Sequence, residues 1–329
     1  MGKTIRLATG HNHAFHRVSS LAAIANGYFR EEGLADVSIG ASGEDSLTVA
    51  GLKAEEIDFG VDVKPGLIME ENGRGEGLYI IAGMLNNFDL TLIGARGIES
   101  LADLRNQKIG LGMKGGGREV AWIRMLLRKA GIDPDREIEW VTNSGYGSLN
   151  MQGPRLDRGD YQATWLSGHY QRPELFDLVR QAGYTILAER AETHPDGLPD
   201  RVVATTGKLL EEQPGVVKKV LKGIVRGYRF ARDPKNAATA RKMYLAYDWG
   251  KDGYGWGEFD ESLLEGMISS AKVLPPDGGV SQSGLTALIE EYKTLHKVPE
   301  SFTKGQVLKL EMLQEAVGEL NNKFGPEGY

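Results

Sequence analysis

Ile5-Arg6-Leu7-Ala8-Thr9-Gly10-His11-Asn12-His13 is an apolar run that meets a glycine and then turns polar. The run reads as a β-strand. Beyond it a helical spacing takes over, with Leu21, Ile24, Ala25 and Tyr28 recurring on one face between about Val18 and Glu31. Gly33 stops that helix, and Asp36 to Ile39 forms the next strand. Strand, helix and strand in this order are the unit from which parallel sheets are wound.

The alternation continues outward from that unit. Further strands are expected at Ile57 to Val61, Tyr79 to Gly83, Leu90 to Ala95, Lys108 to Leu111, Ile138 to Val141, Tyr161 to Leu166 and Arg201 to Thr205. Helices are expected at about Glu44 to Lys53 and Arg118 to Ala130, the second opened by a Gly115-Gly116-Gly117 loop and closed by Gly131. The last third reads as nearly all helical, with segments at about Pro214 to Arg232, Ala237 to Ala246, Ser283 to Leu295 and Leu308 to Asn322. The class is α/β, and 329 residues suffice for two lobes that each bury a core.

Composition narrows the partners. The chain is 41% hydrophobic and 26% charged, the balance of a folded globular protein, and its net charge of −6 provides no positive field to gather nucleic acid. A small molecule is the expected partner and a monomer the expected state. With no cysteine, thiol nucleophiles, disulfides and thiolate metal sites are excluded, which suits an oxidising compartment. No window approaches the roughly 18 consecutive apolar residues that span a bilayer. Met1-Gly2-Lys3-Thr4 runs straight into the first strand with no apolar leader segment. Either a leader has been removed, or the protein is cytosolic.

Three of the six histidines, His11, His13 and His16, fall at the end of the first strand, where open α/β sheets bind small molecules. They can be read as ligand-binding groups, as a general acid or base, or as solvated residues of a turn. Two histidines one residue apart on an extended segment could also face one metal ion, but no acidic partner pattern or His-Glu-x-x-His helix accompanies them. No metal and no cofactor is expected. No G-x-x-x-x-G-K-[ST] loop occurs, and no G-x-G-x-x-G with a following ribose-binding acid.

Asn26-Gly27-Tyr28-Phe29-Arg30-Glu31-Glu32-Gly33-Leu34-Ala35-Asp36-Val37 resembles the "G-Y-F-x-x-E-G-L-x-V" signature of periplasmic solute-binding proteins serving nitrate, taurine and aliphatic-sulfonate ABC transporters. The superfamily includes the thiamine-pyrimidine-precursor synthases. Leu52 to Gly60 resembles "L-x-x-G-x-x-D-F-G", with Ala54 where the family usually has glycine, and Glu99 to Gly110 resembles "x-S-x-x-D-L-K-G-K-x-V-G". Lys129 to Pro134 is similar to "K-A-G-L-D-P", and Glu211 to Val217 to "E-x-x-P-x-x-V". The matches run in order from residue 5 to about 235.

This resemblance implies a type II periplasmic-binding-protein-like fold: two α/β lobes joined by two crossover strands, with the ligand in the cleft between them. The crossovers are expected near Leu90 to Gly97 and Pro199 to Thr206. Lobe one then comprises residues 1–92 and 206–329, and lobe two residues 93–205.

In that architecture strand-end loops and helix amino termini face the ligand, with backbone N–H groups and dipoles suited to an anion. The candidate ligand residues are Thr9, His11, Asn12 and His13; Ser42 and Gly43 before the helix at Glu44; and Lys114, Gly116, Gly117 and Arg118 in a glycine-rich loop. Ser144 in Asn143-Ser144-Gly145-Tyr146, Trp165 and His169 at the end of a strand, and Asp62 and Asn86 after others complete the set. Each also has a plain reading as a turn, cap or packing residue. At Gly159 to His169 the family's "G-x-x-D-A-x-x-x-x-E-P" keeps Ala163 but lacks the acid and proline, leaving the ligand class open.

The implied function is capture of a small organic anion, a sulfonate, carboxylate or aromatic acid, for delivery to an ABC permease in the periplasm. The alternative is a cytoplasmic lyase or decarboxylase on the same fold, acting on an aromatic or heterocyclic acid with His11, His13 or His16 as acid or base. The precursor-synthase activity, which the resemblance associates with a cysteine-rich iron motif, is not expected in a chain without cysteine.

Overall fold

In the computed structural model the described residues are 4–10, 14–87, 90–112, 118–142, 147–167, 174–246 and 273–329, with only the backbone described at 14–16 and 118. The chain divides into two compact units, one of Met1–Asn86, Pro199–Ile289 and Leu295–Tyr329, the other of Asn87–Leu198 and Glu290–Thr294.

The first unit is built on a five-stranded sheet of β1 (Ile5–Thr9), β2 (Val37–Ala41), β3 (Phe59–Val63), β4 (Leu78–Leu85) and β10 (Arg201–Thr206), in the order β2-β1-β3-β10-β4. β1 runs parallel to β2 and β3, whereas β10 is antiparallel to β3 and β4. Its helices include α1 (Ala14–Ala25), α2 (Tyr28–Glu31), α3 (Asp45–Lys53) and α4 (Pro65–Gly73). The second unit repeats the plan with β5 (Thr91–Gly94), β6 (Gln107–Gly110), β7 (Ile138–Val141), β8 (Ala163–Leu166) and β9 (Thr185–Glu189), ordered β7-β6-β8-β5-β9. Around them lie α5 (Arg118–Lys129), α6 (Leu149–Asp157), α7 (Leu175–Gln181) and α8 (Arg190–Thr193). The remaining helices are α9 (Gly207–Glu212), α10 (Pro214–Arg232), α11 (Ala237–Ala246), α12 (Gln282–Thr294) and α13 (Glu311–Phe324).

The two segments expected as crossovers are β5 and β10, the strands that run antiparallel within their sheets. Strand and helix alternation along the first hundred residues predicted parallel strands. That holds only where a helix-length crossover turns the chain back, and β5 and β10 each enter a sheet directly after the chain leaves the other unit.

The expected helix from Val18 to Glu31 is two helices. It starts earlier, at Ala14, so His16 belongs to α1 and not to the loop before it, and it breaks at Gly27, whose φ of 74° is left-handed. That break is the physical content of the Gly-Tyr-Phe signature. It turns Tyr28 under the Arg226 guanidinium, 4.0 Å from the ring centroid, while Arg226 donates to Glu31 at 2.8 Å. Phe29 occupies the space a side chain at Gly223 would need, so α2 lies directly on α10. α1 crosses the same helix at Gly227, against the Ser19 carbonyl. Burial raises the Tyr28 hydroxyl to a pKa of about 12. This signature is packing.

At the end of α3 the left-handed residue is Glu55, with φ 58°, and Ala54 is right-handed with φ −80°. The position that calls for glycine is therefore Glu55, which is also where the L-x-x-G-x-x-D-F-G pattern counted from Leu52 puts it, so the placement at Ala54 was one residue out. Asn106, opposite the glycine of the D-L-K-G-K pattern, is also left-handed at φ 59° and tolerates it better, since asparagine visits this region readily. Glu55→Gly is expected to stabilise the protein by about 1 kcal/mol. The Lys208–Glu55 ion pair that it removes is exposed and contributes less. An unchanged or lower calorimetric melting point would refute the reading.

Candidate functional site

Because β2 and β3 lie on opposite sides of β1, the strand order switches at the carboxyl ends of β1 and β3. Open α/β sheets take their ligands at such switch points. The edge carries Thr9 at the end of β1 and Gly10 after it, Ser42 and Gly43 after β2, Asp62 and Lys64 at the end of β3, and Arg201 at the start of the antiparallel β10.

Arg17, in the first turn of α1, is fully buried, and its Nε donates to Thr9 Oγ1 at 3.1 Å. α1 has no acidic residue in its first turn, so the helix dipole adds positive character at the same place. Tyr244 of α11 stands nearby, raised to a pKa of about 12 by burial and drawn back by the Arg17 charge.

A second buried arginine organises the rest of the edge. Arg201 Nη1 donates to Asp45 Oδ1 at 2.9 Å, and its Nε lies 3.6 Å from Asp62 and 3.7 Å from Asp200. Lys64 reaches the other Asp45 oxygen at 3.4 Å. Burial lowers the Arg201 pKa, but the three carboxylates outweigh it and raise the pKa above its ordinary value, so the group is always charged. Asp45 sits in the first turn of α3 and answers that helix's positive end from within the chain. Tyr228 of α10 is buried and pushed well above the usual phenol range, first by burial and then by the Asp62 charge.

The Ser42 hydroxyl lies 2.5 Å from Thr48 Oγ1, 2.9 Å from the Glu44 carbonyl and 3.2 Å from the Thr9 carbonyl. It ties the β1 and β2 ends together and does not cap α3, whose N-cap is Glu44. Gly43 is left-handed, with φ 86°. Asn86 donates to the Gly279 carbonyl at 2.8 Å and accepts from the Ser281 amide at 3.0 Å, which holds the end of β4 to the 279–281 segment.

In the second unit the corresponding edge is shaped by Trp165, on β8 and 5% exposed. A methyl group on Gly112 would lie 3.2 Å from Trp165 Cζ2 and 3.0 Å from Glu119 Oε1, and one on Gly147 would overlap the indole. Two glycines therefore let the ring lie flat against backbone. Behind it Tyr161 donates to Gln152, and Thr164 donates to the Gly110 carbonyl at 3.1 Å.

A sequence profile described as "NMT1/THI5 like" matches residues 15–237. The chain belongs to the NMT1/THI5-like family. No curated protein matches. Among solved structures this family member is similar to the periplasmic sulfonate-binding protein SsuA of Methylobacillus flagellatus, at 16% identity over 97% of this chain and 95% of that one, with a TM-score of 0.70. It is also similar to the periplasmic nitrate-binding protein NrtA of Synechocystis, at 12% identity over 96% and 89%, TM-score 0.64. The desulfurization enzyme DSZB is similar too, at 15% identity over 96% and 99%, TM-score 0.58. Identities this low show a shared fold, the periplasmic-binding-protein fold, and one that hosts an enzyme as well as binding proteins.

Of the residues expected in the site of this NMT1/THI5-like chain, Thr9, Ser42, Gly43 and Asp62 lie at or beside strand ends of the first unit's sheet, with the Ser42 hydroxyl bonded to the Thr9 carbonyl. His11, Asn12, His13, Lys114, Gly116, Gly117, Ser144 and His169 lie outside the described residues, as do the side chains of His16 and Arg118. Sequence reasoning missed Arg17 and Arg201. An arginine in each of two apolar stretches, Phe15 to Ala25 and Leu198 to Ala204, was the available signal. Among the described residues no group of three or more His, Asp or Glu side chains could hold a metal ion, and no helix is long and apolar enough to cross a membrane.

Proposed function

We propose that this chain is a solute-binding protein that captures a small organic anion, a sulfonate, carboxylate or aromatic acid, and passes it to an ABC permease in the periplasm. The observation that carries the reading is the buried Arg17, bonded to Thr9 where β1 ends and set in a helix start without acidic residues. Positive charge held out of water beside backbone amides suits one anionic group. The sulfonate- and nitrate-binding proteins of the same fold support it.

Calorimetry with 1-butanesulfonate, acetate and benzoate is the test. At least one should bind stoichiometrically and stay chemically unchanged. Arg17→Gln should lose about 10- to 100-fold in affinity, as expected for a charge-assisted hydrogen bond of about 1.5–3 kcal/mol. Thr9→Val, which keeps the charge and shape, should lose less. Wild-type affinity in both variants would sink the proposal.

The histidines at 11, 13 and 16, and an enzyme among proteins of this fold, motivate a second reading as a lyase or decarboxylase. Turnover of aromatic acids that vanishes in His13→Ala would favour it. Binding without turnover would exclude it.

A further inference from the structure

We propose that Arg201 is a positioning residue for ligand capture, holding the end of β1 at Thr9 and Gly10 by gripping Asp45 in the first turn of α3. The inference rests on the capture reading above, but it concerns a residue that reaches the ligand only through others. Arg201 opens β10, on a strand that enters the sheet from the opposite direction to β1, β2 and β3, so its side chain starts at the edge where their carboxyl ends lie. Its side chain is 4% exposed and that of Asp45 is 5% exposed, with 2.9 Å between Nη1 and Oδ1.

The next contact is backbone. A methyl group on Gly10 would lie 2.5 Å from Asp45 Oδ1, 2.8 Å from its amide nitrogen and 3.0 Å from its Cα. Gly10 therefore rests directly on the first turn of α3. Asp45 cannot move toward Gly10, and Arg201 and Lys64 restrain its carboxylate. The Ser42 hydroxyl binds the same piece from the other side, through the Thr9 carbonyl and Thr48. A shift of the guanidinium is thus passed to Asp45, to Gly10 and to the strand end that carries Thr9. Asp62 on β3 and Asp200, the residue just before β10, flank Arg201, so its own position is over-determined. A lysine offers a point charge in place of a planar fork and cannot keep this geometry.

Arg201→Lys, Asp45→Asn and the double variant test the inference by two readouts. In ligand-free protein, hydrogen exchange at the amides of Gly10 and Ser42 to Thr48 should rise about tenfold or more, with exchange in β6 and β8 unchanged. Affinity for 1-butanesulfonate or benzoate should fall about tenfold in each single variant, and by the same factor in the double, because both residues act through one contact. Glu291→Gln, which weakens the second unit, is the control and should leave both the exchange at Gly10 and Ser42 to Thr48 and the affinity unchanged. Faster exchange everywhere, or affinity losses that multiply in the double variant, would overturn the positioning role. If Arg201→Lys does not fold, Asp45→Asn decides alone by the local exchange pattern. If the wild type binds neither probe, the capture reading fails while the exchange comparison still decides whether Arg201 holds this strand end.

Discussion

Glu291→Ala is expected to cost the protein about 3–5 kcal/mol, because it strips the partner from a buried arginine. Glu291 lies in the last turn of α12, in the part of that helix grouped with the second unit, and its side chain is 3% exposed. Arg124 of α5, 4% exposed, donates through Nε to one carboxylate oxygen at 2.6 Å, and Arg128 bonds the other. Asp135 takes only the Arg124 Nη2 group, at 2.8 Å, and is itself more than half exposed. Alanine would leave the Nε side of a buried guanidinium with no acceptor in place. Denaturant unfolding should show the loss, and the double variant Arg124→Met, Glu291→Ala should recover much of it by removing the stranded charge. A loss below about 1 kcal/mol in the single variant would mean that the pair is solvated and the argument wrong.

Gly227→Ala should destabilise by about 3 kcal/mol and weaken ligand capture as well. The new methyl group would overlap the Ser19 carbonyl oxygen, come 3.0 Å from the carbonyl carbon and lie 3.2 Å from Ala23 Cβ. These atoms belong to the backbone and first side-chain carbon of α1, so no flexible side chain can swing aside. Relief requires the two helices to separate, and α1 carries Arg17. The melting point and the affinity for the same anions should therefore fall together. Gly318→Ala on α13, where an added methyl group meets nothing within 4 Å, is the control and should be neutral or slightly stabilising. A Gly227→Ala protein with wild-type melting and affinity would refute the tight crossing of α1 and α10.

The α/β class and most strands were legible because hydrophobic periodicity and glycine stops act over a few residues. α4 was missed although Pro65 at its first position is a start signal, since its spacing shows little amphipathic pattern: Pro65, Gly66, Ile68 and Met69 are all buried. The Gly-Tyr-Phe stretch identified the family correctly, yet nothing within it shows that Tyr28 rests on Arg226 or that Phe29 requires Gly223. Those partners lie nearly two hundred residues away. At the strand ends Thr9 and Ser42 could be proposed from turn chemistry. The roles of Arg17 and Arg201 could not, because an arginine in an apolar run reads as a surface interruption until the fold closes around it.

The sequence by itself determined the α/β class, the two-unit plan, the absence of thiol chemistry and membership of the NMT1/THI5-like family. Those follow from local propensity, composition and ordered motifs. Only the tertiary structure decided that β5 and β10 run antiparallel and that Asp45, Asp62 and Asp200 converge on Arg201. Strand direction depends on which neighbours a strand meets in the sheet. Burial of charge depends on everything that packs around it, and neither is a property of any short stretch of chain.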